Sequence, residues 1–301
     1  MSGGFSVSAQ LTNEINQYMV HQPFVNFSSA TSYQSFTAAG YYRNQWVGFN
    51  GAPQTFGLQV QSPLASINSS VGLRLIRDQI GVNVSDQVAL NYAYRLQLKE
   101  SNYLSFSLSP KMFFKKGDLN QLITTSDQSD PLTSVSYSVP AMFNAELGAY
   151  YFKQNFYLGF AIPNILVNNV LVMDSKNYIN EFRTNQMNVF IHSGYQHNLA
   201  NNQAITGSVL MKTAMGANIH GELNALYSFK SEQFGFGVSY RTSKEWLALV
   251  KATFLDSFTF SYAYQHSFTE ISSYQNGTHE LMMIYQLATK KKLIPITSPR
   301  F

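Results

Sequence analysis

Along this chain apolar and polar residues trade places every second position, in segments of about nine to twelve residues separated by turn residues. The clearest run is 88–99, where Val88, Leu90, Tyr92, Tyr94, Leu96 and Leu98 alternate with Ala89, Asn91, Ala93, Arg95, Gln97 and Lys99. Successive side chains of a strand point to opposite faces, so one face of this segment suits lipid and the other a wet lumen. Residues 257–266 repeat the pattern, with Phe258, Phe260, Tyr262 and Tyr264 on one face and Thr259, Ser261, Ala263 and Gln265 on the other.

The pattern predicts strands over roughly 35–47, 54–62, 69–77, 86–98, 102–114, 141–152, 155–162, 186–197, 203–213, 217–229, 233–241, 245–253, 257–266 and 279–288. The expected fold is all-β: a single antiparallel transmembrane β-barrel of about fourteen strands. An even count puts both termini on one side, which in outer-membrane barrels is the periplasm. Connector lengths agree with the count. Those after even strands are short (Ser62 to Asn68, Lys99 to Ser101, Lys153 to Gln154, Asn198 to Asn202, Lys230 to Glu232, Phe254 to Asp256), whereas the long ones, 115–140, 163–185 and 267–278, all follow odd strands.

Composition supports a membrane location. Charged residues make up 12% of the 301 positions, about half the roughly 25% of soluble domains, while aromatics reach 15%. No stretch approaches the roughly 18 apolar residues of a spanning helix, and with every backbone group needing a partner in hydrocarbon, a closed barrel remains. Outer-membrane lipid is therefore an expected partner. The absence of cysteine excludes disulfides and thiolate sites. The basic run Lys290 to Lys292 reads as a solvated tail, so no nucleic-acid partner is expected. Val7-Ser8-Ala9 has the small residues of a signal-peptidase site, so 1–10 is read as the end of a signal that directs export. The remaining division is 11–34, a periplasmic or lumenal segment without clear period, 35–288, the barrel, and 289–301, the tail.

Catalytic chemistry finds little footing. His21, His192, His197, His220, His266 and His279 sit in no recognisable motif, and His192-Ser193 and His266-Ser267 point to opposite strand faces. Asp118, Asp127 and Asp130 lack the spacing of a calcium loop. The chain is accordingly read as a protein without catalytic, metal or cofactor sites. Arg74, Arg95 and Glu146 fall on polar strand faces and form either a network that screens a solute or one that braces the barrel interior.

One segment is far more specific. Tyr42-Arg43-Asn44-Gln45-Trp46-Val47-Gly48-Phe49-Asn50-Gly51-Ala52-Pro53-Gln54-Thr55 closely resembles the hallmark Y-R-x-Q-W-x-G-x-x-G-x-P-x-T of the PorP/SprF family of type IX secretion membrane proteins. Gln17-Tyr18-Met19, Asp78 through Gly81, Phe156 through Phe160 with Pro163-Asn164, Phe236 through Arg241 and Gly277 through Leu281 are similar to the family in the same order. One departure is Asn26, followed here by Phe27-Ser28-Ser29-Ala30 rather than an Asn-Pro-Ala-like run. The resemblance implies an outer-membrane barrel that works with other type IX secretion components. It also implies a large secreted adhesin, or other cargo with a type IX C-terminal secretion domain, whose export or surface attachment the barrel supports, in some members for gliding motility. The hallmark residues Tyr42, Arg43, Gln45, Trp46, Gly48, Gly51, Pro53 and Thr55 serve either as scaffold or as a partner-binding surface. An outer-membrane channel or transporter for small solutes is the alternative.

Overall fold

The computed structural model describes residues 15–118, 136–170, 178–181, 187–214, 219–269 and 275–287. The proposed signal end, the tail, and Asp127 and Asp130 lie outside them. The strands are β1 (Thr37–Asn44), β2 (Gln54–Leu64), β3 (Ser69–Ile80), β4 (Asn83–Lys99), β5 (Asn102–Asp118), β6 (Ser136–Lys153), β7 (Phe156–Ile162), β8 (Val167–Val170), β9 (Tyr178–Glu181), β10 (Asn188–Leu199), β11 (Gln203–Ala214), β12 (His220–Phe229), β13 (Phe234–Arg241), β14 (Glu245–Phe254), β15 (Phe258–Ser267) and β16 (Thr278–Gln286). Fourteen of them close a barrel of sequential antiparallel neighbours, in which β7 pairs with β10 across an inserted β8–β9 hairpin and β1 pairs with β16.

Closure leaves the barrel no open edge, so its backbone ladder is self-satisfied and only the outward side chains need suit lipid. They do: Leu90, Leu223 and Val238 are each more than 60% exposed, at 63%, 64% and 62%. The cross-strand registers line outward residues into rows. Leu58, Leu75, Val88 and Met112 form an apolar row across β2 to β5, and the next row is Phe56, Arg77, Asp86 and Phe114. In that second row Arg77 donates two hydrogen bonds to Asp86, at 2.6 and 2.9 Å, which marks where this wall leaves the hydrocarbon. Trp246, packed edge-on against Tyr264 at 5.8 Å, belongs to the aromatic belt of the opposite wall.

The structure departs from the pattern-based strand limits where the environment stops being half lipid. β5 continues to Asp118 and β6 begins at Ser136, because strands rising past the membrane carry polar residues on both faces and lose their period. β1 ends at Asn44, and Trp46, at φ 52°, turns the chain out of the sheet. The short connectors are tight turns in left-handed backbone: Asn201 and Asn202 lie at φ 61° and 57°, and Leu255 and Asp256 at 52° and 53°.

The lumen is not uniformly polar. Along β1 to β6 the inward residues include Arg43, Gln59, Gln61, Arg74, Asn91 and Ser105, all buried. Along β11 to β16 they include Leu210, Leu226, Leu247, Leu249, Ala263, Met282 and Ile284, which form one apolar cluster with Ile15, Tyr18, Met19 and Val20. Those inward leucines have a packing partner: the segment that precedes β1.

Candidate functional site: the filled lumen and the rim loop

Residues 15–32 are buried without exception, inside the barrel. The segment has no period because it is neither strand nor long helix; two 3₁₀ turns, Gln22–Phe24 and Phe27–Ser32, fold it back on itself. Pro23 starts the first turn, and Asn26 caps the second by accepting from Ser28 N at 3.1 Å. The Asn26 amide nitrogen also donates to Ala149 O and Phe160 O at 3.0 and 3.2 Å, and lies 3.2 Å from His192 Nε2. Asn26 thus ties β6, β7 and β10 to the plug despite the residues that follow it. Thr31 and Ser28 meet the β5 hydroxyls of Ser105 and Ser107 at 2.6 and 2.8 Å. Glycines make room: a side chain at Gly148 would collide with Asn26 and Ser28, and one at Gly72 would reach the ring of Phe27 at 3.0 Å.

The plug begins at the end of the barrel that carries the β1–β2 connector and descends to the short-turn end before entering β1. At its start, Glu280 of β16 accepts the backbone N–H of Asn16 at 2.9 Å and of Gln17 at 3.1 Å, and its carbonyl accepts Gln17 Nε2 at 3.0 Å. Around this carboxylate stand Arg43, its register partner on β1, and Arg241 of β13. Arg241 donates to Glu222 at 2.7 Å, to Asn16 Oδ1 at 2.9 Å and to Gln265 at 3.3 Å, and Arg43 reaches the same Gln265 oxygen at 3.5 Å. At the next residue, Tyr18 Oη accepts from Asn224 at 2.6 Å. His21 lies edge-on between Phe24 and Tyr33, with ring centroids 5.2 and 5.6 Å away.

A second charged group lies deeper. Arg74 pairs with Glu146 and also donates to Phe24 O at 3.2 Å, while Lys111 donates to Pro163 O. Arg95 stands apart: it donates to Thr31 O at 3.0 Å and lies over the Tyr103 ring at 5.1 Å. Of the three residues expected to form a charge network, two meet and the third braces the lower plug.

The hallmark segment forms the β1–β2 connector and its flanks. Gln45 N donates to Pro53 O at 2.9 Å to close the loop. Backbone bonds between Val47 and the Asn276–Gly277 segment, at 2.9 and 2.7 Å, hold one side, and Gly81 N to Gly51 O at 2.9 Å holds the other. Gly48 and Gly51 are needed at φ 97° and 74°, and a Cβ on Gly51 would press on the Gly81 backbone at 3.3 Å. Thr55 points inward and donates to Asp78 at 2.7 Å, whereas Tyr42 faces outward at 41% exposure. Phe49 is left exposed at the loop tip. Trp46 anchors the loop by its backbone, donating to Thr278 Oγ1 at 3.3 Å.

Sequence reasoning did not single out Glu222, Arg241, Glu280, Asn16 or Gln17 as site residues. The available signal was a charge at an inward position of an otherwise lipid-suited strand, which holds for Glu222, Arg241 and Glu280. Nothing local marks Asn16, and Gln17 is marked only by lying in the family-like Gln17-Tyr18-Met19 run; the partners of both lie more than two hundred residues away.

An antiparallel barrel with an apolar outer wall and a lumen filled by its own N-terminal segment defines a plugged outer-membrane β-barrel. The chain belongs to the PorP/SprF family of type IX secretion system membrane proteins, whose family model matches residues 7–285. Among solved structures it is similar to CymD, a monoaromatic hydrocarbon channel, with TM-score 0.54 and 10% identity over 93% of this chain and 95% of that one. It is also similar to the outer membrane protein Omp33 of Acinetobacter baumannii, with TM-score 0.51 and 10% identity over 84% of this chain and 98% of that one. At such identity the likeness shows the fold alone. No curated protein sequence matches.

Proposed function

We propose that this barrel is a binding partner in type IX secretion, holding a large secreted adhesin-like protein through the mouth built on the hallmark loop and supporting its export or surface attachment, with gliding motility as the process served. The observation that carries the reading is the pairing of a filled lumen with a braced, exposed rim. The interior space that a solute channel would use is packed with residues 15–32, while the loop 45–53 is pinned on both flanks and presents Phe49. A pinned loop loses little entropy on binding, and an exposed aromatic is a common anchor of a protein interface. In this reading the rim loop faces the outside of the cell, the short turns and both strand ends of the barrel seam face the periplasm, and the role is binding rather than catalysis.

The test is a mild-detergent pulldown from outer membranes with mass spectrometry, comparing the native barrel with Gly51→Val, which strains the loop but leaves the lumen alone. A large protein with a type IX C-terminal secretion domain is expected with the native barrel and depleted with the variant. Deleting the gene and finding every surface protein still in place would sink the proposal; reproducible recovery of the barrel alone would favour a small-solute channel.

A further inference from the structure

The plug is seated in two places. Its lower half, from Asn26 to Ser32, is held by the Asn26 amide bonds to Ala149 and Phe160, hydroxyl pairs with Ser105 and Ser107, Arg95 donating to Thr31 O, and glycines at 72 and 148 where any side chain would intrude. Its upper half, from Ile15 to Val20, packs on the apolar wall of β11 to β16 and has charge-assisted anchors at Asn16 and Gln17 alone. Both Glu280 oxygens are used on consecutive backbone amides of one turn, so recognition at this point reads main chain as well as the Asn16 and Gln17 amide side chains. Glu280 is fully buried, with Arg43 opposite it in register and Arg241 bridging Asn16 to Glu222.

We infer that Glu280 is the latch of the plug: a carboxylate site that binds the backbone amides of residues 16 and 17, and whose loss frees Ile15 to Val20 while Asn26 to Ser32 stay docked. The physical argument is the cost of removing it. Two buried N–H groups lose their acceptor and two arginines lose a neighbouring negative charge; Glu222 and Glu245 still face Arg241, and Asp78 lies in the cross-strand row of Arg43, but none of the three accepts from the residue 16 or 17 amide. The apolar contacts of Ile15, Tyr18, Met19 and Val20 then have to hold a turn that carries unsatisfied donors. The lower seat loses nothing, because none of its partners touches the latch. This inference does not depend on what the rim binds.

The chain has no cysteine, so single reporters are unambiguous. The full-length barrel in lipid vesicles is prepared with Met19→Cys in the upper half or Ala30→Cys in the lower, both buried in the native protein, and labelled with a small maleimide. Glu280→Ala is expected to raise labelling at position 19 by roughly two to four orders of magnitude, as loss of two hydrogen bonds to a charged group implies, with position 30 unchanged. Equal shielding at position 19 in Glu280→Ala and in the parent would overturn the latch, as would parallel exposure of both positions, which signals general loosening. Should Glu280→Ala fail to assemble, the plug-side pair decides. Gln17→Pro deletes one of the N–H donors without touching the wall, and Gln17→Ala keeps it. Fast labelling with Pro and slow with Ala supports the latch, and equal rates refute it.

Discussion

Gly148→Ala is the smallest change that separates the plug from its barrel. A methyl at this position of β6 would lie 2.5 Å from the hydroxyls of Ser28 and Ser107 and overlap the Asn26 side chain, all of them buried. Relief requires the second 3₁₀ turn to lift from the wall, because the strand on the other side is locked in register between β5 and β7. Overpacking of this kind costs about 1–3 kcal/mol. Lifting the turn also sacrifices the Asn26 bonds to Ala149 and Phe160 and the Ser28–Ser107 pair, each worth about 1 kcal/mol. The turn takes the cheaper of the two, strain or lost bonds, so docking of the lower plug should weaken by about 1–3 kcal/mol, roughly one to two orders of magnitude in the open fraction. With Ala30→Cys as reporter, maleimide labelling should accelerate accordingly while the barrel keeps its heat-modifiable mobility on gels. Gly207→Ala, where nothing lies within 4 Å of the added carbon, is the matched control and should label like the parent. If Gly148→Ala labels as slowly as that control, the seat is not where the structure puts it.

Glu146→Ala leaves the Arg74 guanidinium buried without its carboxylate and should lower the urea midpoint by an amount equivalent to about 3–5 kcal/mol; a change under 1 kcal/mol would mean that the pair is solvated. Gly51→Val should abolish cargo retention in whole cells while barrel yield holds and the urea midpoint falls by no more than about 1–3 kcal/mol of local backbone strain, and loss of yield in step with retention would reduce the rim loop to a folding element.

The barrel was legible because lipid imposes a rule on every second residue. Leu90, Tyr92 and Leu96 have no alternative to the outward face, and the turns between strands are short enough to punctuate the count. The rule fails where lipid ends, which is why β5 and β6 run further than their apolar alternation and why the β8–β9 hairpin left no periodic trace. It also misjudges the lumen: Leu210, Leu247 and Leu249 face inward against Met19 and Val20, a contact that a two-residue period cannot announce. Arg74 and Glu146 were visible as charges on inward faces, but that they meet across two strands while Arg95 serves the plug depends on barrel closure. Gln17 stood in a family-like run and Asn16 in none, but neither told its role, since an asparagine and a glutamine in an aperiodic stretch become specific only when Glu280 arrives.

That dependence fixes an order of assembly. Glu280 sits on β16, the last of the described strands, 264 residues after the amide it binds, and the same strand closes the seam by pairing with β1. A closed barrel offers the plug no passage through its wall, only through its ends. Seam closure therefore brings Glu280 to the first described turn of the plug, a contact of such long sequence separation that it forms late. Until β16 arrives, that turn lacks its carboxylate anchor.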